Sequence, residues 1–228
     1  MMAAQTHFGG ELLKAFTPVA AWLTGDANAI CVQKNSPFKS FDDLAAKAKR
    51  DDVTIGIGGG VGSLDHLTAL AIELAYGGRW TIVPFQGGGE AAAALLGGHI
   101  DSLCVNLAGA ADPTKFRLLA HTGSKRFSEV PDVPCFVEFG HKSLDMNYNV
   151  GALVKRETDP AIVKALENAI LMASNDPGFK KWAKDSKTPV GEPFDINAWT
   201  GFLKNTDQNV MKILPMMEES LKKLQQGK

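Results

Sequence analysis

Apolar and polar positions follow two rhythms along this chain. Between residues 53 and 122, short apolar runs recur: Val53–Ile57, Trp80–Phe85, His99–Val105 and Phe116–His121. They alternate with longer stretches in which apolar residues return every three or four positions. The first rhythm predicts buried strands and the second amphipathic helices. One helix is predicted over Phe41–Arg50, with Phe41, Leu44, Ala45 and Ala48 inward, Ser40 as cap, and Asp42 and Asp43 in its first turn. A second covers Leu64–Tyr76, with Leu67, Leu70, Ala71 and Leu74 inward; Ser63 caps it and Gly77-Gly78 stops it. A short Ala-rich helix covers Glu90–Leu96 and ends at Gly97-Gly98.

The flanks read differently. Residues 1–28 give no clear period, and Ala29–Gln33 predicts a short strand. Residues 128–140 form a Pro-bounded loop leading into one helical turn, and Met146–Val154 predicts a strand. Asp159-Pro160 and Asp176-Pro177 each start a helix with a cap followed by Pro at the first position, the former running to Ser174. Asp195 starts a long amphipathic helix that Pro215 interrupts. Alternating strands and helices predict an α/β fold with a largely parallel sheet. The shift to nearly all helix places a domain boundary near 147–155.

Composition narrows the function classes. The 228 residues, 45% hydrophobic, suffice for one domain or two small ones. Lys+Arg 24 against Asp+Glu 25 gives a net charge of -1, with no basic excess for a nucleic-acid partner. Cys31, Cys104 and Cys135 are odd in number and far apart, so they read as buried thiols. Neither they nor the five histidines cluster as metal ligands do. No apolar run reaches the ~20 residues of a membrane span. The N-terminus lacks the basic start and apolar core of a signal peptide.

The candidate chemistry lies in two glycine loops. "IGIGGGVGS" (55–63) and "IVPFQGGG" (82–89) occupy the same place in successive strand–loop–helix units. In a parallel sheet both fall at the carboxyl ends of strands, where open α/β sheets bind ligands. Each loop is expected to present backbone N–H groups, and each helix start adds positive charge, so an anion can be held without Lys or Arg. The dinucleotide fingerprint fails at Val61 or at Ser63, depending on the starting glycine. The phosphate loop lacks its lysine, and no G-x-S-x-G elbow is present. No cofactor is therefore expected. His66 reads as a structural histidine bonded to nearby backbone, with a general base as the sharper alternative. His99 and His121 read as surface or satisfied core groups. Asn106, ending the third strand of the alternating region, can both donate to and accept from a ligand.

"SPFKSFDDLAAKAK", "GVGSLDHL", "VPFQGGGEAAAALLGGHID", "LLAHTGSKRFSEVPDVPCFVEFG" and "DPAIVKALENAI…DPGF" occur in this order. Together they resemble the substrate-binding proteins of tripartite tricarboxylate transporters, the TctC or Bug family. The resemblance runs from Phe16 to about residue 210. It implies a periplasmic-binding-protein-like (type II) α/β clamp that holds a small carboxylate in an interdomain cleft, largely through backbone amides and bridging waters. The solute would be a di- or tricarboxylate, an amino acid or an aromatic acid. The loaded protein would pass it to a membrane permease, and its location would be periplasmic. Carried over by position, the ligand residues are Gly60, Gly62, Ser63 and His66 in the first motif, Gly87, Gly88 and Gly89 in the second, and Asn106. The chain departs from the pattern at Val105, where many members are acidic, and at Cys135, where Thr is usual.

The resemblance also implies a division into residues 1–35 (partial first domain and hinge strand), 36–148 (a complete second α/β domain) and 149–228 (the helical remainder of the first). Nothing here matches the leading part of the family's first domain. The expected consequence is an exposed apolar surface and either a homodimer formed through it or poor stability. The readings that compete are a small α/β enzyme acting on an anionic substrate with His66 as base, and a cytosolic ligand-sensing domain of the same fold.

Overall fold

The computed structural model describes residues 11–110 and 112–206. They divide into two compact units. One contains residues 26–148 and 186–188; the other contains 11–25, 149–185 and 189–206. The units part at 25/26, and Asn28–Gln33 pairs within the sheet of the larger unit.

The larger unit is a sheet flanked by helices. Its strands are the second part of β1 (Phe16–Gln33), then β2 (Val53–Ile57), β3 (Trp80–Pro84), β4 (Ser102–Asn106) and β5 (Phe116–His121), in the order β3-β2-β4-β1-β5. Strand β2 runs parallel to both β3 and β4. The expectation of a largely parallel sheet needs correcting at β1, which is antiparallel to both neighbours, β4 and β5. Parallel neighbours require a crossover connection, and β1 is joined to neither of these strands by one.

A short helix α1 (Glu11–Ala15) precedes β1. The connecting helices of the larger unit are α2 (Phe41–Ala48), α3 (Leu64–Tyr76) and α4 (Gly88–Leu96). Ser40 and Asp43 close a reciprocal capping box on α2. Phe41, at its start, meets Tyr76 and Phe136 edge-on at 4.8 Å and stacks on Trp80 at 6.2 Å. On the other side, Ala91 and Leu95 of α4 pack with Leu103, Val105, Cys31 and Phe116. Strand β4 starts later than the expected His99 because those residues close α4: the His99 N–H bonds to the Ala94 carbonyl at 2.9 Å. Asp101 then accepts from the Thr54 N–H and Oγ1, both at 2.9 Å, which fixes β4 against β2. All three cysteines are buried and free.

In the smaller unit, the first part of β1 pairs with β6 (Asn147–Lys155). Ala21 exchanges backbone bonds with Phe194, both 2.9 Å. Gly151 is required by packing, since a Cβ there would stand 2.6 Å from the Trp199 ring. Helix α5 (Pro160–Ser174) starts as expected, with the Asp159 carboxylate accepting the Ala161 N–H at 2.7 Å. Helix α6 (Pro177–Asp185) follows. Residues 196–206 form α7, whose first N–H, from Ile196, is accepted by the buried Glu167 at 2.9 Å. The expected interruption at Pro215 lies outside the described residues. Among the described residues no helix is long and apolar enough to cross a membrane.

Candidate functional site

Strands β2, β3 and β4 point the same way, so their carboxyl ends share one edge of the sheet. From β2 the chain leads through α3 to β3 on one side. From β4 it leads to β5 on the other side, beyond β1. The ends of β2 and β4 therefore flank a topological switch point. Both glycine loops and Asn106 gather there. A Cβ on Gly58 would stand 2.8 Å from the Gly88 Cα, so the two loops touch. Gly88 itself faces Val105, with its Cβ position 3.5 Å from the Val105 Cγ2.

The first loop is bonded to its own helix. Gly60 and Gly62 take positive φ, 73° and 85°, which glycine adopts without strain. The Gly59 N–H donates to Asp65 Oδ2 at 2.8 Å, and the Gly62 N–H to His66 Nδ1 at 3.1 Å. Ser63 Oγ donates to the Gly60 carbonyl at 2.8 Å and accepts the His66 N–H at 3.3 Å. Gly59 and Gly62 spend their amides internally, whereas the Gly60 and Val61 N–H groups have no intramolecular acceptor among the described residues. Burial raises the pKa of the Asp65 carboxyl, against the pull of the Gly59 N–H and the Asn28 side chain.

His66 is fully buried, and desolvation lowers its pKa. Because Nδ1 accepts, the neutral ring carries its hydrogen on Nε2. The lone pair a general base would need is committed to Gly62. The structural reading of His66 fits this geometry and the catalytic one does not.

The second loop leaves its glycine amides unspent. Gly87 caps α4 with no side-chain bond, and the first internal bond of the helix is from the Ala91 N–H to the Gly87 carbonyl at 3.1 Å. Gln86 donates its N–H to the Glu90 carboxylate at 3.0 Å. The N–H groups of Gly87, Gly88 and Gly89 have no intramolecular acceptor among the described residues. A Cβ on Gly87 or Gly89 would meet nothing within 4 Å. Packing therefore does not explain glycine at these two positions.

Sequence reasoning missed Asp26 and Asn28. Both are buried on β1, two residues apart and hence on one face of the sheet. Asn28 pairs in register with Asn106. Its Nδ2 donates to Thr68 Oγ1 at 3.1 Å, and its backbone is tied to Thr122. Burial raises the Asp26 carboxyl to about 6; the Ala27 N–H and the Asn106 side chain oppose this and the charge of Glu129 adds to it. The available signal was two polar residues at alternate positions in an otherwise apolar run. His121 is also buried, with Nδ1 accepting the Gly123 N–H at 3.1 Å and Nε2 without a partner. Desolvation lowers its pKa to about 4.

An α/β unit with its polar and glycine-rich groups at the switch point has the form of a solute-binding receptor. The family model described as the tripartite tricarboxylate transporter family receptor, TctC, matches residues 11–216, and the chain belongs to that family. A relative from Cupriavidus necator, the UPF0065 protein in the gbd 5′ region, is 31% identical over 163 residues, or 70% of this chain and 49% of its own length. The chain thus spans about half the length of the first curated relatives it matches. A TctC solute-binding protein from Polaromonas superposes with a TM-score of 0.65 at 26% identity, over 87% of this chain and 70% of that one. An R. palustris protein with adipate superposes with a TM-score of 0.78 at 20% identity, over 90% and 69%, and shows the shared fold.

Proposed function

We propose that this chain is the receptor part of a transporter, capturing a small carboxylate on the periplasmic side of a membrane and passing it to a permease. The observation that carries the reading is the set of unspent N–H groups at Gly87, Gly88 and Gly89, at the start of a helix that no side chain caps. Hydrogen bonds to a charged group are worth roughly 1.5–3 kcal/mol each. Three such bonds approach the ~8 kcal/mol of micromolar binding once water is excluded. Gly60, Gly62, Ser63 and His66 serve as the frame of the site: their mutual bonds hold the first loop, and Gly58 sets that loop against Gly88. Asn106 stands at the neighbouring strand end. The R. palustris protein of the same fold carries adipate, a dicarboxylate, which supports a carboxylate as the solute class.

The test is thermal stabilisation and calorimetry with succinate, adipate, citrate, glutamate and benzoate. Binding raises the melting temperature by mass action. Gly89→Val introduces a side chain into open space, so the unliganded protein keeps its fold while ligand-induced stabilisation is lost. If one of the acids stabilises wild type and the variant equally, the amides of α4 are not the site.

A further inference from the structure

A second concave site lies at the opposite edge of the same sheet. There β1 ends at Gln33, which pairs with Phe116 at the start of β5, and Asp101 immediately precedes β4. Residues 35–38 with Lys47, Ile100 and Asp101 line a cavity of about 490 Å³. That volume falls within the ~300–1,000 Å³ of ligand pockets. The cavity meets solvent at the exposed Asn35, Pro37 and Gly98, and Phe38 and Ile100 supply apolar wall.

Three cations meet around it. The Ser36 carbonyl accepts both Lys39 Nζ at 2.9 Å and Arg117 Nη1 at 3.0 Å; Arg117 Nη1 also donates to the Phe38 carbonyl at 3.0 Å. Lys47 Nζ stands 5.9 Å from the centre of the Phe38 ring. Two carboxylates stand near, and both are already bonded. Asp101 accepts Lys47 Nζ at 2.6 Å and the Thr54 N–H and Oγ1, each at 2.9 Å. Asp43 accepts the Lys39 and Ser40 N–H groups at 2.8 and 3.0 Å, at the cap of α2. Neither Lys39 nor Arg117 forms an ion pair among the described residues.

Two like charges held on one neutral oxygen repel each other, and an anion between them removes that repulsion. Both groups keep unused N–H donors, since an ammonium carries three and a guanidinium five. A carboxylate would bring two oxygens and one charge. A phosphate monoester brings three oxygens and a charge of about −1.5 to −2, a closer match to three cations. The cavity is also much larger than a phosphate group, which leaves room for an organic part beside Phe38.

We propose that this pocket is a second binding site, for a phosphate monoester. Lys39 and Arg117 hold the phosphate, and Phe38 flanks the organic group. The site is independent of the carboxylate reading of Gly87–Gly89, which lie at the other edge of the sheet.

The experiment is calorimetry and amide spectroscopy of the full chain with inorganic phosphate, phenyl phosphate, acetate and chloride at constant ionic strength. Phenyl phosphate should shift the Asn35, Ser36, Phe38 and Lys39 amides saturably and leave Gly87–Gly89 unmoved. It should bind about tenfold tighter than inorganic phosphate, the weight of shielding part of one ring from water. Lys39→Gln, a change at an exposed position, should weaken it by about tenfold or more, the weight of one charge-assisted hydrogen bond. Sedimentation with phosphatidylcholine vesicles, with and without phosphatidic acid, separates the two sources of such a group. Retention only with phosphatidic acid assigns a lipid headgroup, and phenyl phosphate binding without retention assigns a soluble ester. Equal shifts with acetate or chloride, undiminished binding by Lys39→Gln, or shifts confined to Gly87–Gly89 would overturn the site and leave the carboxylate reading standing.

Discussion

The N–H of Gly62 is directed at Nδ1 of His66, 3.1 Å away. A residue that resembles a catalytic base is thus the internal support of the loop before it. His66→Leu keeps the bulk and removes the acceptor, and should cost about 1–3 kcal/mol in urea unfolding. His66→Asn, which retains an acceptor, should recover part of that loss. Equal losses in the two variants would mean that the ring's volume, not its nitrogen, holds the loop.

The glycines of the two loops should respond in opposite ways. Ala at Gly58 would press its Cβ against the Gly88 Cα at 2.8 Å and the Gly88 nitrogen at 3.3 Å, backbone atoms that cannot yield cheaply. Gly58→Ala is expected to destabilise by about 1–3 kcal/mol. Gly89 lies inside α4 with nothing near its Cβ position. Gly89→Ala should therefore stabilise by roughly 0.5–1 kcal/mol through the unfolded chain, while weakening carboxylate binding. Chemical denaturation of both variants checks this, and a stabilising Gly58→Ala would contradict the contact.

Ser63 holds the start of α3 through the His66 N–H and the end of its loop through the Gly60 carbonyl. Ser63→Ala should cost about 1 kcal/mol, the usual weight of a lost cap. Ser63→Asn should restore most of it. A thermal melt of the pair distinguishes capping from incidental contact.

Asp26 and His121 should pull stability in opposite directions with pH. The Asp26 carboxyl is raised from 3.8 to about 6, so the native state binds its proton more tightly than the unfolded chain does. Its contribution is fully present below 3.8 and is lost as pH rises to about 6. The His121 pKa is lowered from 6.5 to about 4, so its contribution is present above 6.5 and is lost as pH falls to about 4. Each is worth roughly 3 kcal/mol. Wild type should show little slope from this pair between pH 4 and 6, where the two opposite shifts offset each other. Asp26→Asn should expose the acid sensitivity of His121, and His121→Gln should expose the opposite slope. Unfolding free energies against pH for the three proteins decide it; parallel curves would mean that neither group is perturbed.

Where local and tertiary signals agree, the sequence is legible. Val53–Ile57, Leu64–Tyr76 and Phe116–His121 form with the bounds their patterns predict. Ser63 and Gly77 mark the ends of the middle one through cap chemistry that needs no partner in space. The antiparallel entry of β1 was not legible, because pairing with β4 and β5 is a contact distant in sequence. Neither was the strand over Thr24-Gly25-Asp26, where residues 1–28 give no clear period and a glycine of positive φ sits within the strand. The glycine loops were found, but the distinction between them was not. It depends on Asp65 and His66 turning back onto Gly59 and Gly62, which only the folded helix start creates. Asp26 and Asn28 become notable only once their burial and unpaired oxygens are seen.

The most direct measurement is the amide spectrum of the ¹⁵N-labelled chain during titration with succinate and aspartate. The account predicts that the Gly87, Gly88 and Gly89 N–H resonances move downfield together and saturate with the calorimetric affinity, while Gly59 and Gly62, already bonded within the chain, shift far less. Saturable binding that leaves the Gly87–Gly89 amides unmoved would contradict the central claim that the start of α4 holds the carboxylate.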